Sequence, residues 1–191
     1  MIVIIGLGNP DKKYEHTRHN MGYMAIDYFA KNHGIEFTKN KYHAMCGTGV
    51  VEGEKVMLLK PTTYMNLSGE CVADVVNNLK IDLSHIIVLV DDIDIDFLDL
   101  RLRAKGSAGT HNGLRNIVAK LNSIDFPRLR IGVGQDKSIP LVDFVLKSFD
   151  KDEINQINDR LQDVDKILVD FVRYNGDVTR IKYDCKATKQ Q

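Results

Sequence analysis

The chain has no tryptophan, four prolines and three cysteines in 191 residues. The cysteines, Cys46, Cys71 and Cys185, are odd in number and lack C-x-x-C spacing, which argues against a disulfide framework. They read as reduced thiols, small buried hydrophobes of a cytoplasmic protein. An excess of one charge is missing too: 26 basic residues balance 26 acidic ones. No global field draws such a molecule onto nucleic acid, so any contact of that kind must be a local patch. Long apolar runs are also lacking. The N-terminal run stops at Gly6, too short for a secretion signal, and no later segment reaches membrane-spanning length, so no membrane contact is expected. There is no internal repeat and no low-complexity stretch.

What is present is globular material. With 43% hydrophobic and 27% charged residues, the chain suits one compact domain over residues 1–191, with disorder expected only over Lys186 to Gln191. After the first strand, Met21, Met24, Ala25, Tyr28 and Phe29 recur at helical spacing ahead of Gly34, which predicts a helix from about Asn20 to His33. Residues 44–51 and 55–60, joined at Gly53, predict a hairpin. Ser68 is a candidate cap for a helix carrying Val72, Val75, Val76 and Leu79. Ile86 to Val90 is the continuous apolar run of a central strand ending at Asp91. Residues 99–103 alternate as a strand with one wet, basic face, and Leu114, Ile117, Val118 and Leu121 mark a short helix. Residues 129–134 predict a further strand. Ile154, Ile157, Leu161, Val164, Leu168 and Phe171 mark a long amphipathic helix from Asp152 onward. Strands interleaved with helices, one hairpin among them, predict an α/β fold: three layers, α/β/α, with a twisted mixed sheet flanked by helices.

His19, Asn66, Asp91 and His111 with its neighbour Asn112 each stand where an apolar run gives way to a loop. Ligands of open α/β sheets collect at such strand ends, so these residues read as one active site with His19 placed to react. Other chemistries fit less well. Gly6-x-Gly8 follows a strand, but Asp11 stands where a dinucleotide-binding loop needs its third glycine, and Asp27 falls inside a helix instead of at a second strand's tip. The acids Asp91, Asp92, Asp94 and Asp96 miss the calcium-loop pattern, since Phe97 occupies the turn glycine's place, and they read as one solvated strand face. His16-x-x-His19 has no matching cysteine or histidine cluster for a metal. No Gly-x-Ser-x-Gly elbow exists for a serine nucleophile. An imidazole, a carboxylate and several carboxamides remain, which is enough for general-base hydrolysis.

Several stretches carry a family resemblance. They are Gly6-Leu7-Gly8-Asn9-Pro10 with Tyr14 and Thr17-Arg18-His19-Asn20-x-Gly22, then Pro61 to Gly69 with Tyr64, Met65 and Asn66. Asp91-Asp92-x-Asp94, Gly109-x-His111-Asn112-Gly113-Leu114 and Arg128 to Gly134 follow in the same order. The chain resembles the bacterial-type peptidyl-tRNA hydrolases over residues 2 to about 149. The resemblance implies an esterase that cuts the bond between a stalled peptide and the terminal ribose of its tRNA. His19 would be the base, with an ordinary pKa of about 6.5 that a neighbouring carboxylate raises, and Asp91 the partner that fixes its tautomer. Asn9, Asn66, Asn112, Tyr14, Tyr64 and His111 are implied substrate contacts. Arg101 and Arg103 lie at matching basic positions for the tRNA body, and Lys105, Arg115 and Arg130 extend that patch.

No cofactor and no metal are expected, and the protein is expected to act as a monomer without an obligate protein partner. A metal-dependent phosphohydrolase built on Asp91, Asp92 and Asp94 and a non-catalytic RNA-binding module are the rival readings. The chain departs from the family pattern at Asp11 and Thr110, where glycine is usual, at residues 95–98, where a proline-and-glycine turn is usual, and at Gln135, where a basic residue is common.

Overall fold

A computed structural model describes residues 1–187. Seven strands form one sheet: β1 (Ile2–Gly6), β2 (Phe37–Lys41), β3 (Ala44–Val51), β4 (Glu54–Pro61), β5 (Ile86–Asp92), β6 (Leu100–Arg103) and β7 (Arg128–Gly132). Their spatial order is β2-β3-β4-β1-β5-β7-β6. β1 runs parallel to β4 and β5, and β5 parallel to β7, while β2, β3 and β4 pair antiparallel, as do β6 and β7. Five α-helices accompany the sheet: α1 (Met21–Asn32), α2 (Ser68–Leu79), α3 (Asn112–Leu121), α4 (Leu141–Val145) and α5 (Lys151–Arg173). The expected three-layer arrangement with a mixed sheet is the one observed.

The layers follow from side-chain alternation. Ile2 and Ile4 of β1, Leu58 of β4 and Ile87 and Leu89 of β5 face one core, closed by Ile26 and Phe29 of α1 and by Leu161, Val164, Leu168 and Phe171 of α5. Val3, Ile5, Leu59, Val88 and Val90 face the other, closed by Val72 and Val75 of α2 and Leu114 and Ile117 of α3. β1 and β5 are buried along their whole length, which is why Ile2–Ile5 and Ile86–Val90 are continuous apolar runs rather than alternating ones. At the start of α5, Glu153 N donates to Asp150 Oδ1 and Asp150 N to Glu153 Oε2, each at 2.8 Å, a reciprocal cap that fixes where the helix begins.

One strand has no counterpart among the expectations, and three expectations change. β2 is an edge strand with four exposed residues in five, so its sequence carries no apolar alternation to announce it. Ser68 is not a cap: it opens α2 from within, buried, with its hydroxyl donating to Met65 O at 2.8 Å. The acids of residues 91–96 do not share a wet strand face, because Asp91 and Asp92 are buried at the end of β5 and only Asp94 and Asp96, in the following turn, are exposed. Of the tail expected to be disordered, Lys186 and Ala187 both bond to Asp99; residues 188–191 lie outside the described part. Leu100 N donates to Cys185 O and Leu102 N to the Tyr183 hydroxyl, so residues 183–187 cover the open edge of β6.

Candidate active site

Parallel pairing puts the carboxyl ends of β1, β4 and β5 on one rim, and their loops meet there. Glycine sets how closely they meet. A Cβ on Gly6 would strike the Gly22 carbonyl, and one on Gly22 would strike backbone atoms of Leu7 and Leu89. The Gly6 and Gly22 of the first motif therefore serve close packing of α1 on β1 and β5, not phosphate binding. That approach brings His19, in the tight turn Arg18–Asn20 just before α1, within reach of Asp91, 72 positions later.

His19 Nδ1 lies 2.9 Å from Asp91 Oδ2 and 3.1 Å from Oδ1. His111, at the start of α3, places Nε2 2.9 Å from Asp91 Oδ1, and the two imidazole centroids are 4.9 Å apart. Asp91 is 2% exposed. Burial alone would raise its carboxyl pKa, but the two imidazoles outweigh that and hold it well below the usual carboxylate range. Burial likewise opposes the charged form of His19, yet the Asp91 charge and hydrogen bond prevail and raise it above the ordinary 6.5.

A cavity of about 80 Å³ opens on this cluster. His19, Asp91, Asp92, His111, Asn112 and Arg130 supply its polar side, and Ile93, Ala108, Leu141, Val142 and Val145 its apolar side. The apolar wall comes largely from α4, a helix that no sequence period announces; an apolar pair directly after Pro140 is the one available signal. Arg18 ties that wall to the histidine turn. Its guanidinium donates to the carbonyls of Lys147 and Ser148 and to Glu153 Oε1 at 2.6 Å, packed 4.8 Å from the centroids of Phe144 and Phe149.

The remaining candidates divide. Asn112 lines the cavity, but Asn9 and Tyr14 do not. Asn9 is buried, its Oδ1 accepting Met65 N at 2.9 Å while Asn20 bonds its backbone N and O; this joins the loops after β1 and β4. Asn66 and Tyr64 are exposed on the second of these loops, and the Tyr64 hydroxyl donates to Asp11 Oδ2 at 2.9 Å. The Asp11 departure thus adds a second link between the same two loops. Tyr14 is half-buried. His16 lines a separate groove beside Asn9 and Asn20, so the His16–His19 pair is split and forms no metal site.

Arg101 and Arg103 project from one face of β6, both exposed, opposite Arg130 and Arg128 of β7. Lys105 and Arg115 are exposed as well. Arg130 turns inward instead, donating to Asp92 Oδ2 at 3.1 Å and Ser107 O at 2.7 Å. Arg128 is 1% exposed and donates to the carbonyls of Gly106, Ile124 and Phe126, bracing the loop that leads to His111. Burial and the nearby Arg130 push its guanidinium down to about 10, still charged at neutral pH.

His19, Asp91 and His111 could each offer a ligand atom to a cation, all within 4.8 Å of one another. The donor set fits this poorly. Nδ1 of His111 already accepts Leu114 N–H at 3.2 Å, whereas a neutral imidazole bound to metal through Nε2 carries its proton on Nδ1, facing that amide hydrogen.

Comparison with known proteins shows the family. The family model described as peptidyl-tRNA hydrolase matches residues 3–190. The chain is 48% identical to the peptidyl-tRNA hydrolase of Alkaliphilus oremlandii, with 92% of this chain and 100% of that protein covered, and 48% identical to that of Bacillus subtilis, with 83% and 85% covered. The solved structure of peptidyl-tRNA hydrolase from Acinetobacter baumannii matches with a TM-score of 0.82 at 32% identity, covering 96% of each chain. This chain belongs to the peptidyl-tRNA hydrolase family.

Proposed function

We propose that the protein hydrolyses the ester between a peptide and the 3′-terminal ribose of tRNA, with His19 as general base. The observation that carries this reading is the 2.9 Å bond between His19 Nδ1 and the buried Asp91 at the mouth of a cavity. With its Nδ1 proton given to Asp91 in a hydrogen bond, His19 keeps a lone pair on Nε2. That nitrogen takes a proton from water as the water oxygen bonds to the ester carbonyl carbon. Collapse of the tetrahedral intermediate breaks the bond to the ribose oxygen, and the imidazolium returns its proton to that leaving oxygen. Asp91 stabilises the imidazolium between these steps without itself taking a proton. The Asn112 carboxamide, on the cavity wall, donates to the substrate; Asn66 presents a further carboxamide on an adjoining loop for the peptide, and Asn9, its oxygen held by Met65 N, offers only its NH2. A site that hydrogen-bonds a peptide amide disfavours a free aminoacyl group, which leaves those groups unpaired. Arg101, Arg103 and Lys105 meet the phosphates of the tRNA body, and Tyr14 and Tyr64 border the substrate's path.

The reaction needs no cofactor and no metal. The protein acts as a monomer in the cytoplasm: its two sheet edges are a lysine-bearing, polar β2 and a β6 covered by residues 183–187, both of which discourage strand pairing between copies, and Cys46, Cys71 and Cys185 are unbridged. The test is release of an N-acetylated amino acid from tRNA, with free aminoacyl-tRNA as control. Wild type should cleave the blocked substrate, with or without chelator, and His19→Ala should not. Equal rates in the two proteins would remove His19 from the mechanism.

A further inference from the structure

We infer that His111 is a positioning residue that acts through Asp91, not a contact for substrate, and that its role depends on a tautomer imposed by α3. Both ring nitrogens are committed inside the protein. Nδ1 accepts the Leu114 N–H, one of the orphan amides at the start of α3. A nitrogen that accepts an N–H carries no proton, so in the neutral ring the proton resides on Nε2. Nε2 faces Asp91 Oδ1 at 2.9 Å and is therefore a donor. The helix start thus selects the one tautomer that can bond the carboxylate.

The consequence lies in how Asp91 is held. Its Oδ1 receives His111, and its Oδ2 is left as the nearer acceptor for His19, at 2.9 against 3.1 Å. Two N–H groups from neighbouring rings, His111 on Oδ1 and His19 nearest Oδ2, hold the carboxylate in one orientation, and that orientation aims the single remaining proton bond of His19. Burial of Asp91 at 2% exposure excludes water as a substitute donor. His111 thereby sets the tautomer of His19 at one remove, through a chain running from the Leu114 amide to His111, to Asp91, to His19. This rests on the assignment of His19 as base made above.

Two variants and one spectrum test it. In His111→Asn the shorter carboxamide still accepts Leu114 N–H, so α3 keeps its cap, but it does not reach Asp91. We expect a melting temperature lowered by the loss of one bond to buried Asp91 but less than in His111→Ala, an unchanged KM, and kcat lowered ~10- to 100-fold, the range for loss of an outer partner that orients a metal-bound imidazole. His111→Ala should lose both the cap and the rate. Nitrogen-15 NMR of the wild type should report His111 as the Nε2–H tautomer and His19 as Nδ1–H, with the His19 signal shifting toward mixed tautomers in His111→Asn. A wild-type His111 carrying its proton on Nδ1, or a His111→Asn variant whose KM rises while kcat holds, overturns the inference. If the tautomers are as stated and the wild type cleaves no peptidyl-tRNA, the positioning chain stands and the proposed function falls.

Discussion

Asp91→Asn exposes the logic of the cluster most directly. The side chain at position 91 serves two imidazole N–H groups, and a carboxamide has one oxygen to offer. Because the Leu114 amide keeps the proton of His111 on Nε2, the carboxamide oxygen must turn to His111 and its NH2 to His19. His19 Nδ1 then becomes an acceptor, its proton moves to Nε2, and the nitrogen meant to take a proton from water is already protonated. In serine proteases the same carboxylate-to-amide change costs about 10⁴ in kcat, equivalent to about 5 kcal/mol of barrier. A loss of about 10³–10⁴ in kcat with little change in KM is expected here, measured as peptide release under saturating substrate. The double variant Asp91→Asn/His111→Asn frees the carboxamide to turn its oxygen toward His19, so it should be roughly 10-fold faster than Asp91→Asn alone, a coupling that independent sites do not show. An Asp91→Asn enzyme within about 10-fold of wild type, or purely additive losses, would refute the scheme.

The raised pKa of His19 makes the base a cation until pH climbs through that value, so the acid limb of kcat/KM should have its midpoint above about 6.5 and move down in Asp91→Asn; a wild-type midpoint below about 6.5 contradicts the shift. By linkage the pair stabilises the fold fully between about pH 4 and about pH 6.5; the His19 share fades as pH rises through its raised folded-state value and the Asp91 share as pH falls below the usual carboxylate range, which pH-dependent melting of wild type and His19→Ala can follow. Replacing Arg101 and Arg103 with alanine should raise KM for whole peptidyl-tRNA more than for a short acylated fragment. It should also flatten the salt dependence by roughly 0.7–0.9 log units for each phosphate no longer neutralised; equal effects on both substrates would misplace the tRNA face. Gly22→Ala forces a methyl into the Leu7 and Leu89 backbones. It should cost about 2–3 kcal/mol in chemical denaturation and depress kcat as α1 moves off β1; a neutral substitution would show that α1 does not set the His19–Asp91 distance.

Much of the architecture is legible in the chain because local patterns report local solvent. Ile2–Ile5 of β1 and Ile86–Val90 of β5 are apolar without interruption since both faces are covered, and α5 repeats its apolar residues every three or four positions since one side faces the core. β2 is silent because an edge strand exposed at four positions in five has no burial pattern to display. α4 is silent because five residues give no period, although Leu141, Val142 and Val145 form the cavity's apolar wall.

The chain alone determined which polar residues end which strands, and therefore that His19 and Asp91 would sit on one rim of the sheet. Tertiary structure decided what each then does. Arg130, expected in an outer basic patch, turns in to Asp92, and His111, expected to touch substrate, has both nitrogens spent on Leu114 and Asp91. Residue type and spacing specify which groups can bond, but a hydrogen bond is chosen by distance and direction within about 3 Å, and those are set only when loops far apart in sequence are packed together.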